Sequence, residues 1–491
     1  MNILAIDAGT TGVTALMVSS NGEIIGRGSS DFEQFFLHPG WVEHDLDLIW
    51  RAVEISVLAA IEEAGAKPAA IGITNQRETI ALWNRDDLSP ARKAIVWQDR
   101  RTTTQVDRLR GLGLEAEIRA KTGLGLDPYF SSTKFLWLSE NEPELWSRVQ
   151  SGKVAIGTID SYLVAKLTGG KFHITDASNA SRTQLMNIHN GEWDDQLLQI
   201  FNIPESALPR IVPNYGELAI ADPEFAFGIS APITGMAGDQ QAALFGQAGF
   251  EVGANKCTYG TGAFILCNTG EVAPASKNGL LTTIAWQRPD KKIIYALEGA
   301  VFVAGAAVQW LRDGLGLIEN SNEIEGLAAS VDSSDGVRFV PALTGLGTPF
   351  WNPDVRGAFF GITRGTTKAH FARATLEGLA FQIRAVVDAI QADLGRNLSS
   401  FKVDGGAAAN DLLMQLQADC LNLTVTRGKN LESTALGAAF LAGLGAGIWT
   451  STDDLISIFK LDREFEPKAF NQDDYRSWLK ACQSAIDFAS D

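Results

Sequence analysis

Cysteine is scarce in this chain, with four in 491 residues. Cys257, Cys267, Cys420 and Cys482 sit in apolar or helical contexts without metal-ligand spacing. That excludes a disulfide framework and points to reduced thiols in a cytoplasmic protein. Basic runs are missing as well, and the net charge is −17. A nucleic-acid or anionic-membrane partner is therefore not expected, and the acidity reads as a solvated surface. No apolar run is long enough to span a bilayer; the longest weakly polar stretch, 435–449, is mostly Ala and Gly. The first residues enter a strand directly, without a basic-then-apolar signal segment, so a cytoplasmic location is expected. His44, His173 and His189 lack the spacing of a metal site, which leaves them structural roles. No low-complexity linker divides the chain, yet its length exceeds what one core usually supports, so two or three domains are expected.

What is present is glycine in turns between strands. In the opening stretch, 3–18, two runs rich in Ile, Val and Leu flank Asp7-Ala8-Gly9-Thr10-Thr11-Gly12. This predicts a β-hairpin whose turn exposes N–H groups and small hydroxyls, a concavity suited to an anion. Asp7 ends the first strand, placed to hold a metal ion that accompanies a phosphate; a tight turn with a capping Asp would read the same way. A third strand over 23–28 completes a meander. Asp45 is suited to cap a helix with Ile49, Trp50, Val53, Val57 and Ile61 at helical spacing. Strands over 70–74 and 94–97 lead into the polar clusters Asn75-Gln76-Arg77-Glu78 and Gln98-Asp99-Arg100-Arg101, and 129–134 precedes a helix carrying Phe135, Trp137 and Leu138. Strand, Gly/Thr turn and strand recur at 256–266, and a third glycine turn, 403–410, follows the strand 401–403 and opens a helix. One phosphate-type loop in each half predicts duplicated domains facing each other across a cleft, with a nucleotide between. The crossing point is placed at 245–254, giving domains 1–247 and 248–491.

The three turns, in this order, resemble the phosphate and adenosine loops of the actin-like ATPase superfamily. More narrowly, 129–138 and 357–377 are similar to the two signatures of the FGGY carbohydrate kinases, named for a Phe-Gly-Gly-Tyr type motif. The stretches 40–45, 71–78, 237–246 and 295–302 extend the likeness, within that family, to the members that act on glycerol. The resemblance implies an α/β fold of two actin-like (ribonuclease H-like) domains around a central nucleotide-binding cleft. It implies transfer of a phosphoryl group from ATP, with Mg²⁺, to glycerol as the small-molecule substrate. A homodimer or a homotetramer is left open.

A kinase acting on an alcohol needs a carboxylate to accept the hydroxyl proton, a metal on the phosphates, and donors along the phosphate oxygens. Asp239, in a Gly-Asp-Gln turn, is the candidate base, and the resemblance gives that position this role; as a bare residue it would equally cap the helix 240–245. Asp7, with Asp239, would hold Mg²⁺. Thr10, Thr11 and Gly12, with Gly260 and Thr261, would line the phosphates. Gly405, Gly406, Ala407 and Asn410 would pack against the adenosine, with Gly305 and Gln309 near the nucleotide by resemblance. For a three-carbon polyol, Arg77 and Glu78 would supply a donor fork and an acceptor, Gln240 and Tyr129 further partners, and Trp97 and Phe264 the walls. Taken singly, Trp97, Tyr129 and Phe264 are core aromatics as readily as pocket residues. Many family members have Gln and Arg where this chain has Ala8 and Thr14, which bears on how the triphosphate is clamped. The region 220–228 is acidic and apolar where regulated bacterial members carry a basic loop for fructose bisphosphate, so that site is expected to be absent. Two rivals follow: another sugar kinase of the family, such as one for xylulose, disfavoured by the three aromatics, and a non-catalytic actin-like sensor, disfavoured by Asp7, Asp239 and both Gly/Thr loops.

Overall fold

A computed structural model describes residues 1–490. The first half is built on β1 (Asn2–Ala8), β2 (Gly12–Ser19), β3 (Ile24–Asp31), β4 (Ala70–Asn75), β5 (Tyr215–Ile220) and β6 (Pro232–Gly238). The second half is built on β7 (Asn255–Tyr259), β8 (Ala263–Gly270), β9 (Leu281–Gln287), β10 (Ile293–Val301), β11 (Phe401–Asp404), β12 (Val425–Gly428) and β13 (Leu461–Phe465). Their orders are β5-β6-β4-β1-β2-β3 and β9-β10-β8-β7-β11-β12-β13. In each sheet an antiparallel hairpin (β1–β2, β7–β8) continues into two parallel strands and ends on an antiparallel one. The second sheet repeats the first strand for strand and adds β9 at its edge. The duplication expected from the two Gly/Thr turns is thus present in topology and direction.

The helices of the chain include α1 (Leu46–Ala64), α2 (Ser131–Asn141), α3 (Asp239–Gly246), α4 (Gly305–Asp313), α5 (Lys368–Leu394), α6 (Asp411–Leu421) and α7 (Ser433–Gly445). Asp45 caps α1 as expected, its carboxylate accepting from Asp47 N at 3.0 Å. Alternate residues of β1 and β2 face opposite layers. Leu4, Ile6, Val13 and Ala15 pack on the side of α1, whereas Ile3, Ala5, Leu16 and Val18 join a cluster with Ala435, Ala438, Ala439 and Ala442 of α7. That cluster also takes Leu266, Ala285 and Ala296 from the second sheet, so the halves share an apolar core. A smaller sheet, with Ile80–Asn84 and Val154–Thr158 paired antiparallel, carries Trp97 and α2 beside the first.

Three local readings change. The polar residues Ser131, Ser132, Thr133 and Lys134 form the first turn of α2 instead of preceding it, and all four are fully buried. The third glycine turn opens a short 3₁₀ segment, Gly406–Ala409, before α6 begins. The Ala/Gly composition of 435–449, read only as too short for a membrane, has a packing cause. A Cβ at Gly437 would overlap the Ala242 carbonyl, one at Gly246 the Ser433 carbonyl, and one at Gly72 the Ala438 carbonyl. Small residues let α7 lie directly on α3 and β4. Among the described residues no helix is long and apolar enough to cross a membrane, and all four cysteines are buried free thiols. Gly437→Ala should lower unfolding free energy by about 1–3 kcal/mol, the usual cost of overpacking. Denaturant unfolding checks it, and an unchanged midpoint would show that the α3–α7 contact has slack.

Candidate active site

Parallel pairing brings the chemistry to one edge. In register, Asp7 lies beside Thr74, Thr74 beside Ala237, and Asn75 beside Gly238. The C-terminal ends of β1, β4 and β6 therefore deliver Asp7, the run Gln76-Arg77-Glu78 and Asp239 to the same crevice, where open parallel sheets place their ligands. Behind them, Asn75 and Asn179 exchange amide hydrogen bonds, and Asp176 accepts from Asn179, Ser178 and Asn214. Ser178 Oγ in turn accepts from Gly238 N at 3.0 Å.

Asp239 is the first residue of α3, its Oδ1 accepting from Gln240 N at 2.7 Å and lying 3.1 Å from Arg77 Nε. A quarter of its side chain stays open, 26%. Burial pushes its carboxyl above the usual range, while Arg77 and Lys256 pull it back. Asp7 is raised well above that range by burial, then by Asp239 and Glu432. Two mutually repelling carboxylates suit a divalent cation held by one or both of them together with phosphate oxygens and water. Among the described residues no cluster of three His, Cys, Asp or Glu forms a complete protein cage.

The Arg77 guanidinium is engaged by protein groups. Nη1 and Nη2 bind both oxygens of Glu298 at 2.5 and 3.0 Å, and Nε faces Asp239. Gln241 Oε1 (3.3 Å) and the Tyr129 hydroxyl (3.4 Å) take the remaining donors. Gly238 makes room for it, since a Cβ there would sit 2.7 Å from Arg77 Cγ and Cδ. Glu78 holds a left-handed backbone at φ 61°. Its Oε1 accepts from Arg182 Nε at 2.6 Å, and Arg182 Nη2 reaches Glu298 Oε1 at 3.1 Å. Burial raises the Glu78 carboxyl. Burial acts on Glu298 too, yet Arg182 and Arg77 bring it below the usual range. The network of Arg77, Glu78, Arg182 and Glu298 is essentially closed to water.

Sequence reasoning missed Arg182, Glu298 and Lys256. Glu298 sat within a quoted motif, so its place was marked without a role; Arg182 carried no local signal. Lys256, fully buried, donates to Gln240 Oε1 and, at 2.8 Å, to Thr258 Oγ1. The Gln240 side-chain oxygen is thus already engaged. Trp97 meets Tyr129 at 5.5 Å and Phe264 at 6.1 Å between ring centroids, both edge-on, so the three aromatics form one group. Trp97 Nε1 donates to Thr10 Oγ1 at 3.0 Å, joining the group to the first loop.

In that loop Thr10 and Gly12 are half-buried and Thr11 is exposed, while Gln76 Nε2 holds the Gly9 carbonyl at 3.0 Å. His44 steadies Gln76 from behind, and burial lowers its pKa to about 4. Ala8 is buried and Thr14 pairs opposite Asp7, so neither brings charge to the loop. In the second half, Gly260 and Thr261 are exposed. Gly305 N donates to Gly260 O, and Ala304 N and Ala306 N donate to Thr261 O. Gly405 has φ 83°, and a Cβ there would lie 2.6 Å from Tyr259 O. The second and third glycine turns and the start of α4 therefore form one patch, with Gly406 and Gln309 exposed and Ala407 half-buried. Asn410 spends its side-chain oxygen on capping α6, through Leu413 N at 2.8 Å.

Comparison with known proteins agrees with this geometry. The N-terminal domain of the FGGY family of carbohydrate kinases matches residues 2–246, and its C-terminal domain matches 255–446. A glycerol kinase of Bdellovibrio bacteriovorus is 51% identical over 488 residues, 98% of each chain. One from Geobacillus kaustophilus is 51% identical over 494 residues, 99% of each. The crystal structure of Plasmodium falciparum glycerol kinase with ADP superimposes with a TM-score of 0.92 at 37% identity, covering 99% of this chain and 98% of that one. A ligand-bound xylulose kinase from Lactobacillus acidophilus shares the fold, with a TM-score of 0.88 at 23% identity over 100% and 98% of the chains. Two repeated sheets, a carboxylate held by arginine at their crevice and matches along nearly the whole length lead to one assignment: the chain belongs to the FGGY family of carbohydrate kinases.

Proposed function

We propose that the protein transfers the γ-phosphoryl group of ATP to glycerol, forming glycerol 3-phosphate and ADP. The observation that carries this reading is Asp239, partly open and seated on the same Arg77 that Tyr129 of the aromatic group Trp97, Tyr129 and Phe264 meets. Half identity to glycerol kinases over the full length supports the choice of acceptor. A terminal hydroxyl near Asp239 loses its proton to the carboxylate as its oxygen bonds to phosphorus, and the bond to the ADP oxygen breaks. Arg77, pinned by Glu298, fixes where that carboxylate points. Glu78 accepts from a second hydroxyl, and Trp97, Tyr129 and Phe264 cover the carbon edge and exclude bulkier sugars. The Thr10–Gly12 and Gly260–Thr261 turns supply donors to the triphosphate, and Gly305, Gln309, Gly405, Gly406, Ala407 and Asn410 border the nucleoside. Mg²⁺ would be held by Asp7, with Asp239, and when bound it neutralises phosphate charge. The domain boundary is placed at 247/248, in the connection from α3 to β7, and the setting is the cytoplasm.

A phosphorylation panel of glycerol, dihydroxyacetone, xylulose, ribulose and gluconate should show glycerol with the highest kcat/KM; a pentulose ahead of it would overturn the acceptor. Asp239→Asn should keep ligand binding and cut turnover by about 10²–10⁴-fold, which rapid-quench assays can follow. Because burial raises the Asp239 carboxyl, its base form is lost as pH falls through that raised value. The acidic limb of kcat/KM should therefore lie above an ordinary aspartate's range and vanish in the Asn variant. Asp7→Asn should raise the Mg²⁺ needed for half-maximal rate and leave the affinity for glycerol unchanged, as measured by calorimetry.

A further inference from the structure

Lys134 lies in the first signature stretch, and the phosphoryl-transfer reading gives it nothing to do. It is fully buried in the first turn of α2, where the helix dipole disfavours a cation. Its three ammonium protons all go to carbonyls: Nζ donates to Pro128 O at 2.5 Å, Tyr129 O at 2.9 Å and Phe130 O at 3.3 Å. No carboxylate bonds to it among the described residues. The charges facing it are Asp99, Glu78 and Asp127, with Arg100 opposing them. Burial lowers its pKa to about 7, and the three acids restrain the fall. A buried ammonium bonded only to backbone is expensive to keep. Its acceptors are the carbonyls of the segment that presents Tyr129 to Arg77 and Trp97.

The same segment borders a cavity of about 870 Å³, lined in part by Trp97, Pro128, Tyr129, Phe130, Leu281 and Trp351. Residues 128–130 thus form a partition with open space against it. Asp127 ties the partition from outside, its Oδ1 accepting from Tyr129 N at 2.9 Å and from Arg100 at 2.7 Å.

The geometry points to Lys134 as a positioning residue: its ammonium pins the carbonyls of Pro128, Tyr129 and Phe130 and so keeps Tyr129 at the acceptor site. Without it three carbonyls lose their donor beside the cavity, and the partition gives way into that space. The consequence for catalysis rests on the proposed glycerol reading.

Amide hydrogen exchange and steady-state kinetics on the wild type, Lys134→Met and Asp127→Ala test this. Both variants should exchange faster at residues 129–130 and raise the glycerol KM by about tenfold, the scale of one lost charge-assisted hydrogen bond, with the ATP KM unmoved. A merely structural lesion shrinks the folded fraction, lowering apparent kcat and leaving both KM values alone. Unchanged exchange at 129–130, or an ATP KM rising as much as that for glycerol, would overturn the assignment. If Lys134→Met does not fold, Asp127→Ala decides by the same readouts. A wild type inactive on glycerol would sink the acceptor reading, while the exchange data still decide the pinning.

Discussion

The pair between Arg77 and Glu298 is the contact on which the site depends. It joins the end of a first-half strand to the middle of β10 in the second half, with both carboxylate oxygens engaged and almost no water in reach. Removing one member of such a pair leaves a stranded charge and typically costs about 3–5 kcal/mol. Asp239 depends on the pair, because its Arg77 contact has a fixed direction only while Glu298 holds the guanidinium. Arg182 extends the same logic by bridging Glu78 and Glu298. Asp239 and Glu78 are both oriented by arginines that Glu298 holds in place.

This arrangement alters the part played by Arg77. Read as a sequence, Arg77 beside Glu78 is a donor beside an acceptor, both offered to a polyol. Folded, the arginine's donors are spent on protein, and Glu78 stands in a left-handed conformation that an unconstrained glutamate avoids. Backbone strain at that position is offset by Arg182 and by the register of β4 with β1 and β6. Arg77 and Glu78 are thus held within a set of four charged side chains.

The sequence made the fold legible because its signals were local. Alternating apolar strands, Gly/Thr turns and the Asp45 cap each depend on neighbours in the chain, and the duplicated turns disclosed a duplicated topology. Asp239, Trp97, Tyr129 and Phe264 were legible through motif context, and the folded chain groups them. Arg182 and Glu298 were not, since their partners lie 104 to 221 positions away and nothing near them announces a charge network. The three glycines at the crossing point, Gly246, Gly249 and Gly253, each sit at a close approach: to the Ser433 carbonyl, the Leu244 side chain and the Arg396 guanidinium.

Helix α7 also has a bearing on biosynthesis. One face of the first sheet is covered by residues 433–445, close to the far end of the chain. At roughly 5–20 residues per second, the ribosome needs about 10–40 s to go from the last first-half helix to α7. Through that interval Ile3, Ala5, Leu16 and Val18 have no native cover, although the opposite face is already closed by α1. The first half therefore leaves the exit tunnel as a half-clad sheet, and its maturation waits on the synthesis of residues 433–445. A truncated message that stops short of α7 yields a sticky product, not an autonomous domain.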